Sequence, residues 1–301
     1  MTSILTNNAA MGALQTLRGI NSNLQDTQNA VSSGLRISKA SDNAAYWSIS
    51  TSMKSDNSAI GAVSDALGLG AAKVDTATTA VTSALDIVSQ IKSKLVTAME
   101  DSVDKSSVQE EIGQLQAQLQ SVAQSASFNG ENWVVAAGGD SASVVSSFIR
   151  GTNGTVSVST TSYAFNSGAT GNVLFGANSG TIDTTSGILG TATGSYSVFS
   201  LDITGMTGGQ VSTALDMVQS ALNAMTSMGS RLGSISTRID LQTNFASSLS
   251  DSIESGVGKL VDADMEEESS KLSALQTQQQ LAVQSLSIAN SSSQSILTLF
   301  R

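Results

Sequence analysis

Apolar residues in this chain recur alternately every four and three positions over long stretches. The longest series runs Ile49, Met53, Asp56, Ile60, Val63, Leu67, Gly70, Val74, Ala77, Val81, Ala84, Val88, Ile91, Leu95 and Ala98, and only Asp56 and Gly70 interrupt it. A 3.5-residue period sustained this far predicts a packed helix seam. At 1.5 Å per residue the helix would extend roughly 75 Å, too long for a compact globule. A second seam, Val108, Ile112, Leu115, Leu119, Val122 and Ala126, opens on Ser107 and Glu110, spaced as a capping box. A third runs from Val211 to Ile253 behind another cap signal, Thr207 and Gln210. Both ends carry shorter series: Leu14, Leu17, Asn21, Leu24, Gln28, Val31 and Leu35 at one end, and Met265, Glu268, Leu272, Leu275, Gln279, Ala282, Leu286, Ala289, Ser293, Ile296 and Phe300 at the other. They read as coiled-coil strands of similar length, able to pair with each other, whose polar members weaken the seam but fix its register.

The middle is a different material. Residues 130–209 hold 15 of the 26 glycines, and seven of the twelve aromatics fall between Trp133 and Phe199. Alternations such as Thr155–Ser159 sit between turn signals at Asn153-Gly154 and Gly168, which predicts strands and hairpins. The clustered aromatics favour a folded β insert at one end of a helical rod over a flexible Gly/Ser/Thr-rich segment. Because the insert lies outside every seam, its loss is expected to remove surface material, and deletions within about 140–200 are expected to be tolerated for assembly far better than trimming ten residues from either end. Gly34 at one end, and Gly256 with Gly258 at the other, read as joints between a terminal two-helix unit and a longer central bundle. The predicted fold class is mainly α: a long antiparallel coiled-coil or bundle rod formed by both chain ends, with a small β-rich insert.

Composition then removes whole classes of function. Of the 301 residues none is proline, which suits long helices because proline costs ~3 kcal/mol in a helix interior. There is no histidine and no cysteine, so the commonest general base, thiol nucleophiles and thiolate metal sites are all missing. A net charge of −10 argues against a nucleic-acid partner, whose backbone is bound by Lys and Arg. No apolar run approaches the ~20 residues of a membrane span, and nothing marks a cleavable leader.

The densest charge cluster, Asp262, Asp264, Glu266, Glu267 and Glu268, could be read as a calcium site or a carboxylate pair. It lacks the spaced ligands and central glycine of a calcium loop, and acidic residues are favoured at a helix N-terminus in any case. Gly68-Leu69-Gly70 lacks the third glycine of a dinucleotide fingerprint. Tyr46-Trp47 reads as a packing plug near the joint. The expectation is therefore no enzyme, with no catalytic, cofactor-binding or metal site.

Several motifs in order resemble bacterial flagellin. Ser32-Ser33-Gly34-Leu35-Arg36-Ile37 followed by Ala40, Asp42, Ala44 and Ala45 is similar to that family's N-terminal signature. Phe128-Asn129-Gly130 resembles its FNG string, and Asp262-Ala263-Asp264 with the Gln-rich helix through Ala289-Asn290 resembles its C-terminal signature. The resemblance covers roughly 1–135 and 210–301. Tyr46-Trp47 departs from it, replacing a glycine-containing string.

The resemblance implies a homopolymeric filament subunit for swimming motility, secreted through the type III flagellar apparatus and located in the extracellular filament. Implied partners are copies of itself, sister flagellins, an export chaperone, and cap and junction proteins. The implied division is 1–42 and 257–301 for a terminal coiled-coil domain, 43–135 and 207–256 for a central bundle, and 136–206 for a variable insert. Expected assembly-seam residues are Leu14, Leu17, Leu24, Val31, Leu35, Leu272, Leu275, Leu286, Ile296 and Phe300. The alternatives are a hook–filament junction protein, or a secreted coiled-coil adhesin or effector. Family members that trigger an innate receptor carry a string resembling Gln-Arg-x-Arg-Glu-Leu. Here the matching stretch, Gln90–Leu95, has Ile91, Ser93 and Lys94 at the charged positions, which implies weak signalling that replacing all three would raise.

Overall fold

A computed structural model describes residues 7–100, 102–151, 155–178 and 180–299, with side chains as far as Ser291. Five helices and six short strands follow in order: α1 (Asn8–Ser33), α2 (Ala44–Thr97), α3 (Lys105–Ser125), β1 (Ser127–Phe128), β2 (Glu131–Asn132), β3 (Ser141–Arg150), β4 (Val156–Ala164), β5 (Gly176–Asn178), β6 (Thr181–Asp183), α4 (Gly208–Val261) and α5 (Met265–Leu299). The fold is mainly α. Its described residues fall into two compact units, one up to Ser58 and from Ser250 on, the other spanning Ala59–Leu249.

The central unit is built on the predicted seams. Along α2, every seam residue from Ile60 to Ala98 is buried, and Leu67, Val74, Ala84, Val88, Ile91 and Leu95 are sealed from water. α3 adds Val108, Ile112 and Leu119, and α4 adds Val211, Val218, Met225, Leu232 and Ile239 to the same cluster. The α3 cap differs from the expected box. Asp104 is the N-cap and accepts from the Ser106 N–H at 3.0 Å, while the Ser107 hydroxyl donates to its other oxygen. A carboxylate three residues earlier thus takes the role expected of Ser107. At α4 the reading holds: Gln210 Oε1 accepts from the Thr207 N–H at 2.8 Å.

The glycine-rich middle is folded, and it is not a detachable surface. β3 and β4 pair antiparallel with a bulge at Ser146, and β5 and β6 form a small hairpin. The turn signal at Asn153-Gly154 lies outside the described residues. Trp133 stacks on Tyr163 at 5.6 Å between centroids, and Phe165 packs edge-on against both. Val144, Leu174, Phe175, Leu189, Leu201 and Ile203 belong to the same buried cluster as the helices. The expectation that the insert is surface material is therefore corrected, because the segment shares a buried core with the helices.

α3 ties the return segment down with polar side chains. The buried Gln116 amide donates to the carbonyls of Val198 and Leu201, both at 3.0 Å. Gln109 accepts from the Ile203 N–H at 2.9 Å, and Lys105 donates to the Met206 carbonyl at 2.8 Å. On the opposite side, Asn129 and Gly130 both take positive φ (51° and 83°), giving the tight turn that joins β1 to β2.

Candidate functional site

With no catalytic constellation in the sequence, the candidate site is the surface formed by the chain ends. α1 packs antiparallel on α5. The Asn7 amide donates to the Ala289 carbonyl at 2.9 Å, the Gln279 amide to Asn21 Oδ1 at 2.7 Å, and Leu35 bridges to Asp262. These links descend along α5 as they ascend along α1, so the expected pairing of the two ends is observed. On α5 the predicted register holds: Glu268, Leu272, Gln279, Ala282, Leu286 and Ala289 are half-buried, and Leu275 is buried.

On α1 the contact face is rotated from the predicted one. The covered positions are Ala10, Ala13, Leu17, Ile20, Leu24, Thr27 and Val31, another alternation of three and four. Leu17, Leu24 and Val31 are shared with the expected series, and Leu35 is half-buried below the helix. Leu14, Asn21 and Gln28 instead lie on the exposed flank. Two heptad registers overlap in this sequence, and the covered one places Ala10, Ala13, Ile20 and Thr27 where the other would bury the polar Asn21 and Gln28. Leu14 is left 40% exposed. The Ile296 side chain and Phe300 lie outside the described residues.

The apolar surface of this pair is far from satisfied within one chain. Met11 on α1 and Leu281, Val283 and Ile288 on α5 are all more than half exposed. A shallow groove between the helices is lined by Ala13, Ile20, Leu281 and Ala282. From Leu272 to Leu299 α5 carries no charge. A neutral apolar face left exposed to water marks an interaction surface.

The joint below the pair is tightly wired. α1 ends on Gly34 at φ 71°, whose N–H returns to the Ala30 carbonyl at 2.9 Å. The chain then runs extended against the end of α4. The Arg36 N–H donates to the Val261 carbonyl at 2.7 Å and the Ala263 N–H to the Gly34 carbonyl at 2.9 Å. Ile37, Val257 and Val261 seal a small core there. The Asp42 carboxylate closes the next turn by accepting from the N–H groups of Lys39 and Ser38, both at 3.0 Å. Those two donors hold its carboxyl below its ordinary pKa.

Two expectations about this joint are corrected and one holds. α4 runs unbroken through Gly256 and Gly258, and the helix break lies at Asp262–Asp264. Gly256 serves closeness instead: a Cβ there would meet Met53 Cε at 3.0 Å. Tyr46 and Trp47 are not a buried plug, because both are exposed. The acidic cluster is placed as its structural reading required. Asp264 Oδ1 accepts from the Glu266 and Glu267 N–H groups at 3.0 and 3.3 Å, at the start of α5.

In the central unit, Ile91 is fully buried, so replacing it with arginine would drive a guanidinium into the core. The triple restoration of Ile91, Ser93 and Lys94 is thus not a neutral surface change. Lys92 and Lys94 are themselves engaged, with Gln219 on α4 and Glu111 on α3.

Comparison with known proteins matches the described geometry at both ends. Residues 4–137 match the bacterial flagellin N-terminal helical region, and residues 215–300 match the bacterial flagellin C-terminal helical region. Over their full lengths and that of this chain, Flagellin A of Rhizobium meliloti is 43% identical and Flagellin C of Rhizobium meliloti (strain 1021) is 46% identical. Flagellin of Brucella melitensis biotype 1 is 47% identical, also over the whole of both chains.

Proposed function

Since the chain belongs to the bacterial flagellin family and is a structural subunit of the flagellar filament, we propose that α1 and α5 are its polymerisation surface. The observation that carries this is the neutral face from Leu272 to Leu299, which exposes Leu281, Val283 and Ile288 in the single chain. Leu14 would meet neighbouring copies directly. Leu17, Leu24, Val31, Leu35, Leu272, Leu275 and Leu286 would hold the two helices as one element, and Ile296 and Phe300 would extend that seam. Near-neutral helices suit a dense interior, because each unpaired charge buried there carries a desolvation cost.

Further parts of this reading concern the route and the company of the subunit. It leaves the cell through the flagellar export apparatus with a chaperone and takes its place outside the cell beneath a cap protein. It joins the hook through junction proteins, and sister flagellins share the filament. Rhizobium meliloti relatives named Flagellin A, B, C and D support the last point. Seeded polymerisation of purified protein followed by electron microscopy tests the reading. Long tubes are expected; short collars would favour a junction protein, and no assembly would defeat both.

A further inference from the structure

The two tryptophans of this chain lie in opposite environments. Trp133 is 2% exposed inside the central unit, whereas Trp47 is 38% exposed on the first turns of α2. Trp47 is not alone. Tyr46 is 42% and Ile49 49% exposed, so three large apolar side chains stand in water within four residues. Helix capping does not require them. Asn43 supplies the cap, accepting from the Ala45 and Tyr46 N–H groups, both at 3.1 Å.

Their register explains what they lack. Tyr46 and Ile49 continue the α2 seam backwards in the same alternation of three and four that includes Met53 and Ile60. At Met53 the seam is covered, with Gly256 of α4 against it. Ser50, the next residue after Ile49, is buried, so α2 has cover on that side, while Tyr46, Trp47 and Ile49 lie toward solvent on the same turns. Within the chain the apolar series is only partly covered here.

We propose that a second copy of the chain covers Tyr46, Trp47 and Ile49 in the filament, making this aromatic step a subunit–subunit anchor. The inference rests on the filament role, because a polymer sets copies of the chain against one another and an exposed apolar cluster is covered most readily at such a contact. Chemistry narrows what the neighbour offers. From Asn43 to Met53 the chain carries no charge, so the covering face is uncharged and apolar. α5 presents such a face at Leu281, Val283 and Ile288. In a helical polymer contacts are heterologous, one patch meeting a different patch on the next copy. Aromatic side chains desolvated at such a contact supply a disproportionate share of its free energy.

Acrylamide quenching of the unmodified protein reads the environment of Trp47 directly, since Trp133 is already shielded. In the monomer the quenchable emission belongs to Trp47, and on seeded polymerisation it should fall about threefold or more as the indole is buried. The chain has no cysteine, so Trp47→Cys carries a unique thiol for a benzophenone maleimide. Irradiated filaments should give crosslinked dimers on a denaturing gel. Trp47→Ser should raise the critical concentration for growth about tenfold, the scale of a truncated aromatic anchor. Filaments in which Trp47 stays as quenchable as in the monomer, or links confined to single chains, overturn the inference and leave the filament role intact. Failure of the unmodified chain to polymerise on seeds overturns both.

Discussion

In the central unit α2 buries Leu67, Val88, Ile91 and Leu95 completely, while in the end unit α1 leaves Leu14 40% exposed and α5 leaves Leu281 58% exposed. Both regions are written with the same alternation of three and four. They differ in how many partners each helix finds inside the chain. α2 is enclosed by α3, α4 and the folded insert, whereas among the described residues α1 and α5 pack chiefly on each other. Two helices in contact cover one stripe apiece, and the remaining apolar surface must find cover elsewhere or stay in water. A seam enclosed on all sides stabilises the subunit, whereas a seam enclosed on one side is the surface proposed above to be covered in the polymer.

The sharpest way to break this contrast is to place one charge in each region. Leu286→Asp should abolish filament growth, seen by electron microscopy, while the thermal transition of the central unit stays unchanged. Normal filaments from this variant would sink the assignment of α5 to the polymerisation surface. Ile91→Ala should do the reverse, lowering the stability of the central unit by about 2–5 kcal/mol in denaturant melts.

Smaller effects sharpen the account of the central unit. Gln116→Leu leaves the Val198 and Leu201 carbonyls without its amide and should cost about 1–3 kcal/mol. An unchanged midpoint would mean that this tether contributes little. Gly70→Ala pushes a methyl onto Val144 and should cost about 1–3 kcal/mol. Adding Val144→Ala to Gly70→Ala should recover part of that loss in a double-mutant cycle, and strict additivity would exclude the proposed clash.

The smallest effect belongs to Asp42 at the joint. Its folded pKa is depressed by the Ser38 and Lys39 N–H donors, so the turn is held at neutral pH. That stabilisation is lost only as pH falls through the lowered pKa, below the ordinary carboxylate value of about 4. The amide resonances of Ser38 and Lys39 should move together with the Asp42 carboxyl in an acid titration. Independent movement would disconnect that carboxylate from the turn.

The heptad spacing by itself determined that the chain is mainly helical, where the long central seams lie and that its two ends can pair, because a 3.5-residue period has one geometric meaning. Local cap chemistry was legible in part. Thr207 with Gln210 was read correctly, but Asp104 displaced Ser107 because a nearby carboxylate is the better acceptor for the orphan N–H groups. Which of two overlapping registers α1 would use was beyond spacing alone. Ala10, Ala13 and Thr27 are covered and Leu14, Asn21 and Gln28 are not, which depends on how α5 sits against α1, a property of two helices together. For the same reason the burial of the insert and the exposure of Tyr46-Trp47 were decided only in three dimensions. A side chain's apolarity is written in the sequence, but the neighbour that covers it, or fails to, is supplied by the fold.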